Sequence, residues 1–182
     1  MGKKSRSQSQ SKGSQSSSNK NSQPKSEKTK RSSASPVMKL DSRYFSREAY
    51  NALKAMATDE NDPYHLNEKY HKKASGLVQG LTAYISTWGL HRLSGDINKF
   101  LHNKRTSENT EYKGKVYKKF LENLKEISKH DFDVDSDKRL NEADLIHLPL
   151  KEYTALNRLA IRLANEWSFW ASSILGEPDE ND

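Results

Sequence analysis

The chain has 182 residues and no cysteine, with 31 Lys/Arg against 24 Asp/Glu. Without cysteine it forms no disulfide or thiolate metal site, which suits a reducing, cytoplasmic setting. Hydrophobic content is 32%, low for a fully globular chain, and no apolar run approaches the ~20 residues that span a bilayer.

Both the apolar deficit and the charge are local. Residues 1–36 hold thirteen serines and nine Lys/Arg against one acid, Glu27, a net of +8. The rest of the chain has 22 Lys/Arg against 23 Asp/Glu, a net of −1, so the tail accounts for the whole excess. A segment so poor in large apolar side chains cannot offset the entropy lost on ordering it. Residues 1–36 are therefore expected to be a disordered Ser/Lys-rich tail, and residues 37–182 a helical domain. The tail reads first as a solubilising linker and second as a non-specific electrostatic arm for nucleic acid. It lacks the apolar stretch of a secretory signal and the amphipathic face of a mitochondrial leader. Met1-Gly2 opens like a myristoylation signal, but Arg6 stands where that signal needs a hydroxyl residue.

From residue 37 onward apolar residues recur at helical spacing, and no strand alternation persists beyond four or five residues. The expected fold is all-α, a compact bundle of about five to six helices. Ser46 is placed as the cap of a first helix, with Ala49, Leu53, Met56 and Ala57 facing inward. Asp62-Pro63 reads as the next helix start. Leu66, Tyr70, Ala74, Leu77, Leu81, Tyr84, Ile85 and Trp88 follow at helical period, interrupted by Gly76 and Gly80. Trp88-Gly89-Leu90 marks a bend. Leu90, Leu93, Ile97, Phe100 and Leu101 make a third apolar face, and residues 103–111 a polar loop. Val116, Tyr117, Phe120, Leu121, Leu124 and Ile127 make a fourth. An acidic loop at 130–139 leads to the last helices, from about 141 to 175, the final one running from Pro149 to Leu175 and stopped by Gly176 and Pro178. There Tyr153, Leu156, Ala160, Leu163, Trp167, Trp170 and Ile174 form one seam, while Lys151, Arg158 and Arg162 form a basic stripe on another face.

Motifs for catalysis are lacking. The six histidines have no i, i+4 pair and no cysteine to complete a zinc site. No glycine loop is built to cradle phosphate, and no serine stands in a nucleophile elbow. Glu122 and Glu126 alternate with Lys118, Lys119, Lys125 and Lys129, the pattern of a salt-bridged helix face. Asp133, Asp135, Asp137 and Asp144 fall at calcium-loop spacing. Lys138 takes the place of the glycine that such a loop turns on, and the last acid is Asp rather than Glu. A solvated acidic turn is the plainer reading. No cofactor, metal or active site is expected.

The basic clusters carry more. Residues 99–129 hold nine Lys/Arg against four Glu, with Lys113, Lys115, Lys118 and Lys119 on one helix. Lys72, Lys73 and Arg92 flank the glycine-interrupted helix, and Lys151, Arg158 and Arg162 line the last one. Cations at helical spacing can follow a phosphate backbone without reading sequence, although each cluster alone also suits a solvated face. The aromatic residues fall mostly on apolar seams and read as core.

Two segments resemble the small helical subunit of type III-B CRISPR–Cas effector complexes, in the RAMP module. Residues 70–101, YHKKASGLVQGLTAYISTWGLHRLSGDINKFL, match its helix ending in a Gly-Leu turn and the helix that follows. Residues 145–176, LIHLPLKEYTALNRLAIRLANEWSFWASSILG, are similar to its terminal helix, which begins near a Glu-Tyr pair. Trp88 stands where that family often has a polar residue, and Gly76-Leu77 where a proline is usual. The resemblance implies a non-catalytic antiviral-defence subunit that stacks with its own copies and other subunits along the crRNA–target RNA duplex. RNA-contact candidates, on charge and spacing, are Arg158, Arg162, Lys151, Lys115, Lys118, Lys119, Arg92, Lys72 and Lys73. The alternative is a helical protein-interaction module, possible calcium response included, with a linker tail. Neither reading involves a membrane.

Overall fold

The computed structural model describes residues 41–102, 108–129 and 145–179. Among these every regular element is helical, as the periodicity predicts. The helices are α1 (Ser42–Thr58), α2 (His71–Trp88), α3 (His91–Ile97), α4 (Glu108–Ser128) and α5 (Leu150–Leu175). A 3₁₀ turn, Glu68–Tyr70, precedes α2, and a π turn, Asn98–His102, follows α3. The Ser/Lys-rich tail, the acidic loop at 130–139 and the candidate calcium residues Asp133, Asp135, Asp137 and Asp144 lie outside the described residues.

The longest helix, α5, runs through the middle of the packing. It buries Leu156, Ala160, Leu163, Ala164, Trp167, Ala171 and Leu175. Tyr153, Trp170 and Ile174 sit at the edge of that seam, half-buried. Three alanines in the line keep its surface low, so neighbouring helices approach closely. α2 lies antiparallel along it: Gln79 Nε2 donates to Ser172 Oγ (2.9 Å), Thr82 Oγ1 to Asn165 Oδ1 (2.9 Å), and the Leu90 N–H to Asn157 Oδ1 (3.0 Å). From α2 come Ala74, Val78, Leu81 and Ile85, and from α1 come Phe45, Ala49, Leu53 and Met56. α4 adds Val116, Tyr117, Phe120, Leu121, Leu124 and Ile127, all buried as expected.

The centre of this core is Trp167. Its indole is fully buried, edge-on to Phe120 (5.3 Å between centroids, 84° between planes), and its Nε1–H donates to Asn123 Oδ1 of α4 at 3.0 Å. An indole N–H taken out of water needs such an acceptor.

Four local expectations are corrected. Ser46 does not cap α1; Asp41 does, accepting from the Arg43 N–H at 3.0 Å. The Ser46 hydroxyl lies inside the helix and accepts from Trp170 Nε1–H at 2.9 Å. Asp62-Pro63 does not open a helix. Asp62 Oδ1 accepts from the Tyr64 N–H (2.8 Å), and the Leu66 N–H returns to the Met56 carbonyl (2.8 Å). Tyr64 and Leu66 are both buried within this turn, and α2 starts at His71. Residues 108–111 belong to α4 rather than to a polar loop. Trp88, expected on the α2 seam, is 53% exposed. It is the last residue of α2, and at Gly89 the chain turns back onto α5.

That turn needs glycine. Gly89 has φ +81°, and a Cβ there would lie 2.5 Å from Tyr153 Oη. Gly89→Ala should lower unfolding stability by at least about 1–3 kcal/mol from backbone strain alone, measured by urea denaturation. Asn123→Ala should cost about 1–3 kcal/mol by leaving the Trp167 N–H buried and unpaired. An undiminished midpoint in Asn123→Ala would show that this bond does not hold the core.

Candidate nucleic-acid interface

The cations fall into three places. The first is the junction of α4 with the turn at 59–66. Lys115 Nζ donates to the His65 carbonyl and lies near Glu111 Oε1, both at 3.3 Å. Lys118 is only 3% exposed, with its ammonium 5.8 Å from the centre of the Tyr64 ring. Lys119 pairs with the Asp62 carboxylate and lies 5.7 Å from the same ring. The Tyr64 hydroxyl donates to Glu122. Helical spacing in the sequence groups Lys115, Lys118 and Lys119 on a phosphate-binding face. The fold instead turns Lys118 inward and uses all three to fasten α4 to this turn. Four-residue helical spacing shows which residues share a stripe but not whether that stripe faces water.

The second place is the N-terminal half of α5 together with the α2–α3 corner. Lys151 and Arg158 are exposed, seven residues and so about 10 Å apart on the face opposite the buried seam. Arg162 continues that face but is half-buried, with its guanidinium 4.8 Å over the Phe45 ring of α1. The corner is held on α5 by the Leu90–Asn157 bond and by His91 Nδ1, 2.9 Å from Tyr153 Oη. It brings Arg92 to this end of the bundle, with its guanidinium 5.1 Å over the exposed Trp88 ring. Leu150, 80% exposed, begins α5 at the same end, and Phe169, 69% exposed, lies further along the outer face. Sequence periodicity missed Trp88 as a surface aromatic. The available signal was its position directly before a helix-ending glycine.

The third place is a groove of about 500 Å³ at the other end of α2. Lys72 and Lys73 from the first turn of α2 meet Lys113 of α4 there, with Asn109, Tyr112 and Asp179 also in its walls. Lys113 thus parts company with its helix neighbours. Tyr112 stacks on Tyr70 (5.4 Å, 13°), which holds the two helix starts together. The 3₁₀ turn Glu68–Tyr70 leads straight into α2 here, and the Asn67 side chain caps that turn by accepting from the Lys69 N–H at 3.1 Å. The α2 helix separates this groove from the α5 cations by roughly 25 Å.

No group of three His, Asp or Glu gathers to hold a metal among the described residues. No helix among them is long and apolar enough to cross a membrane. Comparison with family models, curated proteins and solved structures finds no match to this chain.

The α4 junction has a distinct acid–base signature. Burial raises the Glu122 carboxyl above its usual pKa, outweighing the Tyr64 hydrogen bond and the charges of Lys119 and Lys118. Burial and then the hydrogen bond to Glu122 raise Tyr64 as well, beyond the ordinary tyrosine range. The folded chain therefore holds the Glu122 proton more tightly than the unfolded chain does. Its contribution to stability is greatest below the carboxylate range and falls as pH rises through it. Relative to the native protein, Glu122→Gln should gain stability as pH rises from about 4 to about 7. Paired denaturation curves at the two pH values check this, and an opposite trend would mean that Lys119 and Tyr64 hold the carboxylate charged.

Proposed function

We propose that this chain is a non-catalytic, RNA-binding structural subunit of a type III-B CRISPR antiviral effector complex, lying along the crRNA–target duplex. The observation that supports this best is the group Arg92, Lys151 and Arg158 at one end of the bundle. Among the described residues none of the three is in an ion pair. Because residues 37–182 are close to neutral, these cations are local features and not part of a general positive field. Cations carried on rigid helices can track phosphates without reading bases, which is what a subunit on a guide duplex of any sequence requires. The two segments with the family resemblance form α2, α3 and α5, which pack on one another through the bonds described above. An all-helical fold agrees with that resemblance. In this reading the partners are crRNA, target RNA, neighbouring subunits and further copies of the chain.

A second reading, a helical protein-interaction module, draws on the exposed Trp88, Leu150 and Phe169. Both readings accommodate a stacked assembly, and RNA separates them. In the full chain, Arg92→Ala with Lys151→Ala and Arg158→Ala should weaken binding to RNA at least about tenfold and flatten the salt dependence by roughly two to three contacts. Circular dichroism should stay unchanged, since all three side chains are outside the core. Unaltered affinity and salt slope would leave the protein-interaction reading standing in its place.

A further inference from the structure

The groove of Lys72, Lys73 and Lys113 is reached by the chain's own C-terminal segment. Gly176, at φ +89°, ends α5 and turns the chain across the start of α2. The approach is close: a Cβ on Gly176 would lie 3.8 Å from Lys72 Cγ, and one on Gly76 would lie 3.6 Å from Pro178 Cβ. Pro178 and Asp179 form part of the groove wall, and Asp179 Oδ1 lies 3.9 Å from Lys72 Nζ. The segment 177–182 reads EPDEND, four acids and no base. An acidic segment therefore borders a groove lined by three lysines.

Charge complementarity accounts for that placement, but the contact is easily displaced. Both partners of the Lys72–Asp179 pair are substantially exposed, and at this length such pairs hold weakly and yield to salt. Nucleic acid carries its charges at higher density than EPDEND and gains from counterion release when it binds. Lys72 would take a phosphate oxygen where it now faces the Asp179 carboxylate, with Lys73 and Lys113 beside it in the groove.

We infer that the groove of Lys72, Lys73 and Lys113 is a second site for nucleic-acid phosphates, and that the acidic segment Glu177–Asp179 at its wall acts as a built-in competitor. This inference rests on the RNA-binding reading above. It adds a contact at the opposite end of α2 and a means of weakening non-specific binding. Short RNA reaching only one end of the bundle leaves the segment in place, whereas a longer strand engaging both ends displaces it.

The test is a four-way comparison in the full chain, using a labelled single-stranded RNA and fluorescence anisotropy at fixed low salt. One variant neutralises the segment (Glu177→Gln, Asp179→Asn, Glu180→Gln, Asp182→Asn). A second strips the groove (Lys72→Ala, Lys73→Ala, Lys113→Ala), and a third combines both sets. Neutralising the segment should tighten RNA binding about threefold or more in the native background and less than about twofold in the groove-stripped one. Equal tightening in both backgrounds would mean the acids act through net charge alone, and would overturn the competition. No tightening in either would overturn it too, while leaving RNA binding itself intact. If none of the four proteins binds RNA, the functional reading falls and this inference with it. Pyrophosphate serves as a second probe. Groove-dependent binding of pyrophosphate as tight as that of RNA would overturn the assignment to a nucleic-acid backbone in favour of a free phosphate compound.

Discussion

The hydrogen bond from the Trp167 indole to Asn123 is the contact on which the remainder of the bundle depends. Trp167 is a large side chain with a single polar atom, and it lies fully buried at the middle of α5. Its N–H has to meet an acceptor, and the amide of Asn123 on α4 supplies one at 3.0 Å. That one directional bond sets both the rotation of α5 about its axis and its register against α4. Dispersion and apolar burial would tolerate several rotations of a helix rich in alanine and leucine; a buried donor tolerates few.

Everything outward on α5 follows from that rotation. With Trp167 turned to α4, one flank of the helix meets α1 through Trp170 and Ser46. The other meets α2 through Asn165 and Ser172. The strip left facing water carries Lys151, Arg158 and Phe169, with Arg162 drawn aside onto Phe45. The polar residues on the flanks are as selective as the core. Asn157 accepts from the backbone of the α2–α3 corner, so Gly89, Arg92 and Trp88 are delivered to a defined point on α5. The proposed RNA surface is thus a by-product of core geometry, and changes well inside the bundle can move it.

The α4 junction shows how the same residue type serves two ends. Lys118 and Lys119 surround the Tyr64 ring, and Lys119 and Glu122 are each matched by an opposite or complementary group from the turn at 59–66. Long lysine side chains cover apolar surface with their methylenes while their charges find partners, which lets α4 bury more of its circumference than its composition suggests. Lys113, on the same helix, meets no such turn and opens instead onto the groove shared with α2. Electrostatic roles therefore divide along one helix according to what packs beside each position.

Much of the fold is legible in the order of the residues. Helical periodicity predicted the all-α class. The residue pattern also predicted Ala49, Leu53 and Met56 on α1 (but not Phe45 or Ala52), Leu93 and Ile97 on α3, the α4 set, the bend at Gly89 and the extent of the last helix to within a residue at each end. These are properties that each segment carries alone, since spacing and a helix-ending glycine act locally. Which basic residues face water depends on packing between distant elements. Lys118 and Arg158 look alike in sequence, yet one is buried beside Tyr64 and the other is exposed, because the difference lies in a distant element brought alongside. Exposure of Trp88, the turn at Asp62 and the meeting of Lys72, Lys73 and Lys113 have the same origin. Each depends on contacts between residues far apart in the chain, and those contacts are set by packing, not by local spacing.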